Sequence, residues 1–226
     1  MERPDLVCMW IAELLTMSAT MFSFVFGLRQ FFKKGKPLFL QSITMAMGCH
    51  SLGSIYHCCL ILTNNQMFEG FTPAYLGRIG FFLFFIAASY GQMDRIIDDG
   101  TPAVRPSRYR ALIAPVCAAL LYIPNTRISS LPTSVNVSVL LVWLPALVSV
   151  YFNLKHAIIP DCDFGFVKSI KPYNLFAVGL GFAELFCLTA QNCFHDISLV
   201  IASAIFAAFC VATMIAAKKG AEKWVV

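Results

Sequence analysis

Charge is what this chain has least of. Asp, Glu, Lys and Arg make up 13% of its 226 residues, about half the share of an ordinary soluble domain. Such a chain cannot coat a water-facing surface. With 58% hydrophobic residues and a mean hydropathy of +0.72, it falls in the polytopic membrane class. C-x-x-C spacing is missing too. The nine cysteines are scattered singly apart from Cys58-Cys59, which excludes a zinc ribbon or disulfide framework. A thiol inside an apolar run behaves as a small hydrophobe. Cys8 and Cys193 fall near the same face and are the one candidate pair. Basic runs interleaved with aromatics are also absent, so the net charge of +5 does not imply a nucleic-acid partner. The first residues, MERPDLVCMW, lack the basic region of a cleaved signal peptide, so the first apolar run is expected to be a retained span.

What the chain does have is a succession of apolar runs, at about 6–28, 38–63, 73–93, 110–124, 134–152, 173–193 and 197–217. These predict one all-α domain over 1–226, a bundle of seven transmembrane helices in a lipid bilayer. The fourth run is the weakest, covering about 22 Å of a roughly 30 Å hydrocarbon core. It is expected to borrow a turn at each end, with Arg110 snorkelling and Pro124 kinking or ending it.

The basic residues then set the orientation. Fourteen of the 17 lysines and arginines lie after the first, third and fifth runs or in the tail. They are Arg29, Lys33, Lys34, Lys36, Arg95, Arg105, Arg108, Arg110, Lys155, Lys168, Lys171, Lys218, Lys219 and Lys223. Arg3 and Arg127 fall on the opposite face, and Arg78 lies within a run. Positive residues stay cytoplasmic, so the N-terminus is expected outside and the C-terminus inside, in the plasma (inner) membrane. The first run ends FGLRQ and the fifth FNLKH; Gly35-Lys36-Pro37 and Ile170-Lys171-Pro172 introduce the second and sixth. A 3+1+3 repeat would explain this likeness, although basic residues belong at those ends in any case.

Inside the runs, a few ionisable residues stand out. His50 and His57 are seven residues apart, two helical turns, so they leave the second helix on one side. A lipid-facing helix would not keep two such groups, because each must find a partner or a wet cavity. Counting from the run ends at 1.5 Å per residue puts Glu13, His57 and Arg78 about 8–10 Å below the outer face. There the carboxylate and the guanidinium are expected to satisfy each other, with the imidazole alongside. His50 and Glu184 both fall near the midplane, where an imidazole–carboxylate pair can carry a proton. Ala46, Gly53 and Ser54 mark a helix-packing face beside the histidines, and Gly179, Gly181 and Ala183 mark another. At the inner end, Tyr90, Asp94 and Arg95 form a candidate gate or docking point, a solvated helix end being the alternative. Asp161-Cys162-Asp163 offers too few carboxylates for a dedicated cation site, and no metal or cofactor is expected.

Known seven-span families can be tested against these residues. A retinal protein needs a lysine within the last helix, and 197–217 has none. Intramembrane zinc hydrolases of the alkaline ceramidase type need a histidine on the last helix, which is also missing. His50 and His57 are too far apart to share one zinc at about 2 Å. The PQ-loop transporters share the span count, but the Pro-Gln dipeptide is absent. No nucleophile–base pair suggests an enzyme. Two readings remain. In one, a small solute binds or crosses in a polar cavity lined by His50, His57, Glu13, Glu184 and Arg78, with proton coupling and with Arg78 attracting an anionic group. In the other, the protein is a sensor or accessory subunit that works through a membrane or cytosolic partner, or as a homo-oligomer.

Overall fold

The computed structural model describes residues 3–32, 37–64, 72–98, 100–102, 104–127, 133–160, 166–193 and 197–224. These are almost entirely helical, with no strand among them. The long helices are α1 (Arg3–Phe31), α2 (Leu38–Asn64), α3 (Pro73–Ala88), α8 (Thr133–Ile158), α9 (Phe166–Cys193) and α10 (Ile197–Trp224). A π-helical turn, Ser89–Asp94, and the short α4 (Arg95–Ile97) continue α3. Between α4 and α8 lie α5 (Arg105–Ala111), α6 (Ile113–Leu120) and α7 (Tyr122–Arg127).

Six of these helices are long and apolar enough to cross a membrane. The qualifying stretches are Leu6–Phe31, Leu38–Thr63, Pro73–Asp94, Val139–Ile158, Val167–Cys193 and Ile197–Glu222. Each also turns a large apolar side chain outward: Phe22, Leu52, Leu83, Leu144, Phe186 and Ile201 are all more than half exposed. A helix that is apolar towards its neighbours and towards its surroundings suits lipid rather than water. Several helices run further towards the basic end than hydropathy alone indicates, α1 to Phe31, α8 to Ile158 and α10 to Trp224. Hydropathy stops at the first basic residue, but helical hydrogen bonding does not, because long basic stems lie along the apolar surface.

The expected fourth span, 110–124, is not among the six. It is replaced by α5, α6 and α7, broken at Leu112 and Leu121. Proline supplies no N–H to the carbonyl four residues back, and its ring clashes there. Pro115 acts in this way on Ala111 and Pro124 on Leu120, each one residue before a break. The three pieces run from Arg105 to Arg127, beyond 110–124 at both ends. Trp143 Nε1 donates to the Ala118 carbonyl at 2.8 Å. Asn125 Nδ2 donates to Thr189 Oγ1 at 3.1 Å, and Asn192 Nδ2 to Asn125 Oδ1 at 3.0 Å. These bonds pin the segment to α8 and α9.

The six long helices close a ring in the order α1, α2, α3, α8, α9, α10, with α10 packed back on α1. The broken segment packs outside it, against α8 and α9. The closest approach is between α2 and α3. A Cβ on Gly77 would lie 2.6 Å from the Cys49 carbonyl oxygen and 2.8 Å from Gly53 Cα. Only glycine lets these backbones touch. Fully buried Phe81, Phe82, Phe85 and Phe206 fill the middle of the ring. Cys8 and Cys193 are free thiols, so the candidate pair does not form. Asp161-Cys162-Asp163 lies outside the described residues.

Candidate functional site

The Gly53–Gly77 contact brings the histidine face of α2 against the start of α3. His57 Nδ1 lies 2.7 Å from Glu13 Oε1 on α1. One turn or two below, His50 Nε2 lies 3.2 Å from Glu184 Oε2 on α9, and Ser54 Oγ lies 3.3 Å from His50 Nδ1. Arg78 Nε sits 3.0 Å from the other Glu184 oxygen, off the hydrogen-bonding line, so that contact is Coulombic. Its Nη1 donates to Gln191 Oε1 at 3.0 Å. All five residues expected from the sequence therefore meet, drawn from α1, α2, α3 and α9. Their side chains are at most 13% exposed, Arg78 the most, and those of His50 and Glu184 only 1%.

The pairing differs from the expectation in one respect. Arg78 was expected to satisfy Glu13, but its guanidinium engages Glu184 and Gln191, leaving Glu13 to His57. Counting residues fixes the depth of Cα, whereas a long arginine stem carries its head group about a turn further. The two expected levels therefore merge into one cluster. Gln191 and Tyr75, which also line it, were missed. An amide at the end of an apolar run and a tyrosine near a helix start carry little signal of their own.

The cluster surrounds a cavity of about 20 Å³, lined by Glu13, His50, Ser54, His57, Tyr75, Arg78 and Gln191 among others. That is room for about one water-sized guest. Behind His50 the packing is aromatic. The His50 ring stacks on Phe206 at 4.9 Å between centroids and meets the edge of Phe81 at 5.3 Å. Phe81 packs in turn on Phe85 at 4.9 Å.

Beyond this aromatic layer, towards the basic end, a second polar group gathers around the π turn. A π turn holds more residues per turn than an α-helix, so Asp94 lies nearer the Ser89 face than the roughly 140° offset that α-helical geometry would give. Both face α8. Ser89 Oγ donates to Asn153 Oδ1 at 3.1 Å, and Asp94 contacts Lys155 and lies 2.8 Å from His156 Nε2. Lys155 Nζ also donates to Asp98 Oδ2 at 3.1 Å, and Arg108 Nε reaches that same oxygen at 2.8 Å. The Arg108 hydrogen bond, with Lys155 adding to it, holds the Asp98 carboxyl well below the usual carboxylate range despite its burial.

Of the three inner residues expected from the sequence, Asp94 enters this network. Tyr90 is 57% exposed and packs on Phe152 at 5.0 Å. The side chain of Arg95 lies outside the described residues. Lys155 and Arg108 were read only as markers of orientation. Among the described residues, no group of three or more His, Cys, Asp or Glu is placed to hold a metal ion.

No family model, curated protein or solved structure matches this chain.

Proposed function

We propose that the protein binds or passes a small solute at the Glu13, His50, His57, Arg78 and Glu184 cluster, with proton coupling, as a seven-span membrane protein. One observation carries this reading: two buried carboxylates, Glu13 and Glu184, face a single guanidinium, with the His50 and His57 imidazoles alongside. The acids outnumber the permanent cation by one, so balance calls for a proton or a cation at the cluster. An unmatched charge in such surroundings costs several kcal/mol, which a proton on the cluster or a small cation would relieve. The cavity volume limits the guest to about the size of a water molecule. Arg78, occupied on two sides, is a poor anchor for an anion, so the geometry favours a cationic guest over the anionic one expected from sequence.

The seventh span in this reading is the α5–α7 segment. The outside N-terminus, the cytoplasmic C-terminus and the plasma (inner) membrane rest on the clustering of basic residues at one end. The ring order supports a 3+1+3 plan, since α1, α2 and α3 sit opposite α8, α9 and α10 with the broken segment as the link.

A sensor or accessory subunit is the second reading, favoured by the aromatic packing behind His50 and the smallness of the cavity. Uptake of labelled small cations into proteoliposomes, with and without a pH gradient, separates the two. Flux that needs the gradient and disappears in His50→Ala and Glu184→Gln supports the carrier. No flux for any solute tried, with a protein that co-purifies stoichiometrically, supports the subunit.

A further inference from the structure

At the basic end, α9 and α10 part to leave a groove of about 640 Å³ on the outside of the ring. Its wall is apolar, with Pro172, Phe176, Ala212 and Ile215, and its rim carries Lys168 and Lys219. Phe176 and Ile215 are 38% and 42% exposed. From rim to wall the groove runs about 12 Å along α9, from Lys168 to Phe176. Beside the rim the helices stay close, since a Cβ on Gly220 would lie 3.6 Å from the Ser169 carbonyl oxygen. The helix segments that carry the two lysines are therefore packed together beside the groove.

The rim has spare positive charge. Glu222, the one acid at the groove, lies 3.8 Å from Lys218 Nζ, and Lys218 sits over the Phe26 ring on α1 at 5.4 Å. Lys168 and Lys219 have no acidic partner among the described residues. Two ammonium groups at the edge of the apolar belt, above an apolar slot, match a phosphate head group with acyl chains beneath it. A water-soluble anion would leave the slot uncovered, and a zwitterionic lipid would leave the two charges unmatched.

We propose that this groove binds an anionic phospholipid, its phosphate between Lys168 and Lys219 and its acyl chains against Phe176 and Ile215. The site rests on the membrane-spanning reading but is independent of the polar cluster, so either can fail alone. The test is native mass spectrometry of the full chain in detergent, titrated with dioleoyl-phosphatidylglycerol or dioleoyl-phosphatidylcholine. Phosphatidylglycerol is expected to bind the native chain preferentially, and Lys168→Ala with Lys219→Ala to weaken it roughly 10- to 30-fold. Arg29→Ala with Arg110→Ala removes two exposed charges elsewhere at the basic end and is expected to leave most of the preference intact. The proposal is overturned if both lipids bind alike, if both double variants weaken binding equally, or if soluble glycerol phosphate competes as well as the lipid. Thermal unfolding of each variant without added lipid shows whether a loss of binding is only a loss of fold.

Discussion

The two polar clusters are built from the same residue types and differ in charge balance. At the basic end, Asp94 and Asp98 face Lys155 and Arg108, with His156 alongside. Two acids meet two basic side chains, so the group balances without an added proton or ion. Across the aromatic layer, Glu13 and Glu184 face Arg78 alone, with two imidazoles. The first arrangement clamps α8 to the π turn and asks for nothing further. On the proposed reading, the second is incomplete without a proton or a guest. α3 serves both on one face, carrying Arg78, then Phe81 and Phe85, then Ser89, with the π turn extending the line to Asp94.

The comparison breaks most visibly at Arg78. Arg78→Gln leaves Glu13 and Glu184 buried with no permanent cation between them, and the expected loss is about 3–5 kcal/mol of stability. Thermal unfolding in detergent would read it, and Glu184→Gln in the same chain should recover part. Gly77→Ala comes next. The new methyl meets backbone on α2, not a movable side chain, so a loss of about 1–3 kcal/mol is expected. Because it pushes α2 from α3, it should also abolish any solute binding at the outer cluster while leaving the Asp98 network in place.

Asp98→Asn should cost less, about 1–2 kcal/mol, and its effect should depend on pH. The folded carboxyl is held below its unfolded value of about 3.9, so its contribution is complete above that value and fades as pH falls towards the folded one. The gap in unfolding temperature between native and Asp98→Asn protein should therefore narrow below about pH 4. A constant gap would remove Asp98 from the clamp. The smallest effect is expected for Tyr90→Ala, under about 1 kcal/mol, because more than half of the ring is exposed.

How much of this was legible in the sequence follows from what each signal measures. Hydropathy finds long apolar helices wherever they run unbroken, and it located all six. It averages over 110–124 and cannot see that Pro115 and Pro124 cut the path there, although both prolines were in view. It also says nothing about which helix closes the ring on which. The five cluster residues were legible because ionisable groups are rare in apolar runs and need partners there. Their pairing was not, because the reach of Arg78 is a property of its side chain and not of its place in the run. Lys155 and Arg108 were hidden for another reason: at a basic helix end, orientation already explained them. The π turn left no pattern that would have placed Asp94 against α8.

The charge balance proposed for the Glu184 cluster can be tested by following protons directly. Proteoliposomes loaded with a pH-sensitive dye would be given an inward gradient of ammonium, sodium, potassium or lithium, with ionophore controls for passive leak. The account predicts that one of these cations drives a change of internal pH that native protein supports and Glu184→Gln does not, while Asp98→Asn retains it. If no cation moves protons, or if Glu184→Gln moves them as well as the native chain, the cluster is a structural contact and the proposed coupling is wrong.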